Sequence, residues 1–289
     1  MHIVFAITAV LLAAPAHPHS AALDTAKIEQ LTGAKGRMNA AEGVFKVSVP
    51  RSDLHVTVGG VKLTPASGLT SWAAFTPAGA NVMVMGDIVL TEDQVDPVMG
   101  VALEVGLEVT ALHNHFLGES PRVMFMHIGG MGAVDSLAGA VGKVFAALKS
   151  PGTPIPTADV DPASSRLDPD VIATALGHKG DLANGVYKVT IGRTTQMHGH
   201  AVGNAMGVNT WAAFSGSDAQ AVVDGDFAML ETELQPVLHA LHRGGIHVVA
   251  IHQHMSGESP RIVFLHYWGV GPAETLARGL RSALDQTKP

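Results

Sequence analysis

Two stretches of the chain place imidazoles and a carboxylate at identical spacing. The block His113-Asn-His-Phe-Leu-Gly-Glu-Ser-Pro-Arg-Val-Met-Phe-Met-His127 recurs as His252-Gln-His-Met-Ser-Gly-Glu-Ser-Pro-Arg-Ile-Val-Phe-Leu-His266. Neutral imidazole is a preferred ligand for zinc and copper, so the first chemistry to consider is metal binding, with Zn or Cu as the ion. In an extended strand residues i and i+2 point to one face, so His113 with His115, and His252 with His254, can reach a single ion. Glu119 and Glu258 sit in the connecting turns and can fold back as a further ligand. If the protein is an enzyme, Glu258 is the candidate general base.

His127 and His266 join these pairs only under one strand register. With Ala111 opposite Met126, His127 faces away; with Ala111 opposite His127, it shares the face of the pair. The sequence allows both. Arg122 and Arg261 follow the proline of each turn and can clamp the glutamate, hold an anionic substrate or form exposed salt bridges.

Chance alone would scatter some His-x-His pairs among 16 histidines in 289 residues. The chain has four such pairs, at His17/His19, His113/His115, His198/His200 and His252/His254, and two of them occupy equivalent places. His198/His200 has no counterpart in the first copy, which points to divergence of the two halves and favours the second as the functional one. A polar loop with solvated histidines is the plainer reading of that pair. His239 and His242 fall on the polar side of an amphipathic helix and read as surface, whereas His247 reads as structural. The paired Asp87 and Asp226 read as turn residues or as carboxylates that orient an imidazole. Trp72 and Trp211 read as core.

The elements that carry these residues are themselves repeated. One constant shift takes Trp72 onto Trp211, Asp87 onto Asp226, Pro97 onto Pro236, Gly106 onto Gly245 and His113 onto His252. Upstream, Gly43-Val-Phe-Lys-Val47 returns as Gly185-Val-Tyr-Lys-Val189. Each unit spans about 120 to 130 residues, the size of an ordinary domain. Within the first, Asp24 caps a short helix stopped by Gly33, and β-rich runs follow at 43–49, 69–75 and 81–90. Val95, Val98, Met99, Ala102 and Leu103 keep helical spacing, 107–115 and 122–128 form a hairpin, and a helix bearing Leu137, Val141, Val144, Phe145 and Leu148 closes the unit.

The expected fold is therefore α+β: two tandem homologous units, each a largely antiparallel sheet with helices packed on it, of ferredoxin-like type, forming a pseudo-dimer. The expected boundaries are a signal peptide at 1–16, a first repeat at 17–149, a proline-rich linker at 150–170 and a second repeat at 171–289. The signal reading rests on the apolar run from Ile3 to Ala14 before Ala14-Pro15-Ala16, which is too short to span a bilayer. It implies a periplasmic or secreted protein. With no cysteine, there is no disulfide framework and no thiol for a lipid, so no stable membrane anchor is expected. A net charge of −7 and no basic cluster exclude a nucleic-acid partner.

Two families resemble parts of this pattern. His-x-His-x-x-x-Glu at His113 to Glu119 and His252 to Glu258 resembles the first metal motif of cupins, although no second cupin motif follows. Over nearly the whole mature chain, at 44–51, 68–75, 109–132, 192–214 and 248–271, the sequence resembles the bacterial LppY/LpqO family of exported proteins. That resemblance implies export and duplication but supplies no reaction and no catalytic residue. The function classes left are, in order, an exported metal-binding protein for storage, delivery or sensing, a metalloenzyme acting on a small-molecule substrate, and a binding module without metal.

Overall fold

The computed structural model describes residues 23–288. The apolar N-terminal run, its cleavage motif and His17/His19 lie outside them. The first unit runs α1 (Thr25–Thr32), β1 (Gly36–Asn39), β2 (Val44–Pro50), β3 (Thr57–Val58), β4 (Val61–Lys62), β5 (Thr70–Ala78), β6 (Asn81–Thr91), α2 (Val95–Glu104), β7 (Glu108–His113), β8 (Glu119–Ser120), β9 (Val123–Gly132) and α3 (Val134–Ala147). The second repeats it as α4 (Pro169–Leu176), β10 (Asp181–Ala183), β11 (Val186–Gly192), β12 (Thr195–Met197), β13 (His200–Val202), β14 (Asn209–Gly216), β15 (Ala221–Leu230), α5 (Leu234–Arg243), β16 (His247–His252), β17 (Ile262–Gly271) and α6 (Ala273–Leu284). Local rules set the ends of α1: the Asp24 carboxylate accepts the Lys27 amide hydrogen and Gly33 turns left-handed at φ 66°.

Among the described residues, twelve strands form one antiparallel sheet, in the order β1-β2-β5-β6-β9-β7-β16-β17-β15-β14-β11-β10. The order reads the same from either end under the duplication, and the halves meet where β7 pairs with β16 at Leu112 opposite Ile251. This is the expected pseudo-dimer, fused through the sheet. In each half β9 or β17 lies between the strands flanking the crossover helix, as in a split β-α-β unit. The sheet then continues outward through β5, β2 and β1, which precede that unit in the chain.

The six α-helices of the described residues supply, with one face of the sheet, a single buried core running through both units. Phe45, Val47, Ala73, Phe75, Val84, Ile88 and Met126 belong to it. Strand alternation sends their neighbours to the opposite, helix-free face. Directly paired residues share a face, so Ser48, Trp72, Asp87, His127 and Ala111 form one row across it. Thr190, Trp211, Asp226, His266 and Ala250 form the matching row. Trp72 and Trp211 thus stand on the histidine-bearing face, not in the cores as their sequence suggested. Lys46 lies 3.8 Å above the first ring and Lys188 4.2 Å above the second, a cation-π contact on each.

Candidate metal centre

The register of β7 and β16 decides what the histidine blocks build. Both strands carry a bulge, between Val109 and Ala111 and between Val248 and Ala250. Each bulge sets Ala111 opposite His127, and Ala250 opposite His266. One extra residue is enough to turn the third imidazole onto the face of the other two. All six histidines of the blocks therefore lie on one face, in two groups related by the duplication.

In the second group the His254 Nε2 is 3.1 Å from His252 Nε2 and 3.2 Å from Asp226 Oδ2. Among the described residues, Asp226, His252 and His254 are the set whose donor atoms lie within 4.8 Å of one another. The His266 ring lies 4.7 Å from that of His252, and its Nδ1 donates to the Gly225 carbonyl at 3.2 Å, leaving Nε2 as a lone-pair donor. His254 is held flat against Phe264, ring centres 3.5 Å apart. Asp226 is only 3% exposed and its Oδ1 has no partner, nor has the buried His252 Nδ1.

Burial acts on both ionisable partners of this group. Burial lowers the His252 pKa to about 4, and His266 and His254 add to the effect. Burial also raises the Asp226 carboxyl, against the pull of His266 and His254. One nitrogen of His254 faces both an imidazole nitrogen and a carboxylate oxygen, and a single proton there serves only one of them. For bonds of about 2.1 Å, ligand atoms of a first-row divalent ion stand about 3.0 Å apart at octahedral angles and about 3.4 Å apart at tetrahedral ones. The observed 3.1 and 3.2 Å fall in that range.

The first group is built alike but closed differently. His113 and His127 bring their Nε2 atoms to 3.0 Å, and His113 Nδ1 donates to the Asn114 carbonyl at 3.3 Å. His115 stacks on Phe125 with ring centres 3.3 Å apart, and burial lowers its pKa. Asp87 Oδ1 and Glu119 Oε1 are buried without partners.

Other residues singled out from sequence fall elsewhere. Glu258 is buried, with Oε1 accepting the Ile262 amide hydrogen at 3.2 Å; the carboxylate that joins the imidazoles is Asp226. Arg122 and Arg261 form exposed ion pairs with Glu92 and Glu231, at 3.7 and 3.8 Å. His198 lies in the tip of the β12–β13 hairpin and His200 just after it, and Gln196 of that hairpin pairs with Ser259 beside Glu258. The first unit has the same hairpin as β3–β4, docked on β8, with Gly59-Gly60 at its tip where the second has His198-Gly199. Both tips turn left-handed, with φ 55° and 82° in one and 51° and 81° in the other. His198 and His200 are exposed and stand outside the Asp226, His252 and His254 cluster.

His242 is not a solvated surface residue, and it shares its partner with the structural His247. Both reach Asp96 of the other unit, at 3.3 and 3.5 Å, and with burial opposing them they hold its carboxyl well below the usual range. Two grooves related by the duplication flank the junction. One, of about 820 Å³, is lined by His113, His252, Gln235 and Arg261; the other, about 640 Å³ and more apolar, by Asp96, His247, Trp268, Met124 and Arg122.

A family model, Domain of Unknown Function (DUF1259), matches the chain twice, over residues 26–147 and 170–286. The chain belongs to the DUF1259 family. Its two matched segments coincide with the two halves of the sheet, so each DUF1259 unit contributes one histidine group. No curated protein and no solved structure matches the chain with significance.

Proposed function

We propose that this protein is an exported metal-binding protein whose principal site is Asp226, His252 and His254, completed by His266, for a divalent zinc or copper ion. The observation that carries the reading is that His254 Nε2 has two further donor atoms at ligand spacing, His252 Nε2 and Asp226 Oδ2, which one proton on it cannot both satisfy. The His266 bond to the Gly225 carbonyl supports it, because a ligating imidazole commonly donates its other N–H to a carbonyl. The first unit's His113, His115, His127 and Asp87 form a second, weaker site. Storage, delivery or sensing suits a site whose His254 and His115 are open to solvent. The likeness to LppY/LpqO exported proteins and the apolar N-terminal run support a periplasmic or secreted location.

A metalloenzyme is the second reading, favoured by the 820 Å³ groove that reaches both His113 and His252 and is large enough for a small-molecule substrate. In that case Glu258 acts only after releasing the Ile262 amide. Zn(II) and Cu(II) titration of tag-free protein against a chromophoric chelator tests the principal reading. His252→Ala/His254→Ala removes the tighter equivalent if it holds, and equal binding by variant and wild type overturns it.

A further inference from the structure

We propose that Met83, Met85 and Met131 form a separate Cu(I) site on the helix-free face of the first unit. Met83 and Met131 are direct cross-strand partners on β6 and β9, and Met85 lies two residues along β6 on the same face. The three side chains are 37%, 65% and 58% exposed in the order Met83, Met131, Met85. Directly paired side chains start about 5 Å apart and i, i+2 neighbours about 7 Å apart, so three flexible thioethers there can converge on one ion. Gly129 faces Met85 and contributes no side chain, which leaves room for that convergence. A Cβ at Gly129 would meet nothing closer than the end of Glu108 and the Val84 carbonyl, both at 3.8 Å.

The duplication supplies the control. The equivalent positions of the second unit are Val222, Asp224 and Val270, without a single thioether, although Trp72, Lys46, Gly86 and Gly130 around them all have identical counterparts. Met85 and Met131 are more than half exposed, so burial accounts for little of their placement on this face. Thioether sulfur is a soft ligand that selects Cu(I) over zinc. The site also adjoins the first histidine group, since Met85 and Asp87 are successive residues on one face of β6. The proposal does not depend on the Asp226 site being a metal centre.

The test is anaerobic Cu(I) titration against bicinchoninate under ascorbate, with X-ray absorption of the one-equivalent complex. Met83→Leu/Met85→Leu/Met131→Leu keeps the apolar volume and folding, which thermal melting verifies. The expected result is a sulfur shell in the wild type, at least tenfold weaker Cu(I) binding in the leucine variant, and unchanged Zn(II) binding. His252→Ala/His254→Ala should retain the sulfur-ligated copper, so failure of the imidazole site and failure of this one read separately. A leucine variant that binds Cu(I) as tightly as wild type, or a complex with only nitrogen and oxygen neighbours, overturns the proposal. A face serving instead to dock an apolar partner would give that second outcome.

Discussion

Replacing Asp226 by Asn should stabilise the metal-free protein while abolishing most of its response to metal. In the wild type the carboxylate is 3% exposed, its Oδ1 has no partner, and Oδ2 faces a nitrogen it shares with a second imidazole. Leaving a buried polar group unsatisfied costs about 1–3 kcal/mol, more when the group is charged. Asn is isosteric, carries no charge and can donate its amide to His254. The metal-free Asp226→Asn variant should therefore gain about 1–2 kcal/mol. Wild type with Zn(II) at a hundred times its dissociation constant should gain about 2.7 kcal/mol, and the variant far less.

The pH dependence gives a second signature. A carboxyl with a raised folded pKa binds more protons folded than unfolded, so its contribution to stability falls as pH rises from 3.8 through the folded value. The variant should lack that decline. Urea unfolding with and without Zn(II), in metal-free buffers from pH 4 to 8, measures both effects. A metal-free variant less stable than wild type, or one that keeps the full zinc shift, would refute the reasoning.

Other predictions follow from neighbouring features. Gly225→Ala should cost about 2–4 kcal/mol, because the new Cβ overlaps the Trp211 carbonyl and the Tyr267 hydroxyl that bonds it; Gly86→Ala, facing the Trp72 carbonyl but a movable Ile128 side chain, should cost less in the same denaturation assay. His252 has a folded pKa of about 4, below its unfolded 6.5, so it should make the metal-free protein lose stability as pH falls from 6.5 toward 4; His252→Gln should flatten that slope in urea midpoints. Asp96→Asn should lower stability by about 1–2 kcal/mol and return the raised His242 pKa, followed by NMR, toward its ordinary value. An unmoved His242 resonance would show that the unit junction is not held by this carboxylate.

Much of the fold was legible because duplication and periodicity are local. The repeat gave two units, and Val95, Val98, Met99, Ala102 and Leu103 marked the buried side of α2 correctly. What stayed hidden depended on long-range placement. Whether His127 joins His113 hinges on a bulge between Val109 and Ala111 that no residue type announces. Trp72 looked like core because it is large and lies in a strand, yet its register row is that of Asp87 and His127. His242 sat on the polar side of its helix, where a monomeric unit would meet water; here another unit's Asp96 waits. Asp226, weighed as a turn residue or an orienting carboxylate, meets His254 Nε2 directly, and its pairing with Asp87 in the duplication was the clue.

Anomalous diffraction from crystals soaked separately in Zn(II) and Cu(II) tests the central claim most directly. The account predicts a peak about 2.0–2.2 Å from Asp226 Oδ2, His252 Nε2 and His254 Nε2, with His266 drawn toward it. Crystals with no peak at these atoms, or with metal only at His198/His200 or other surface histidines, would contradict it.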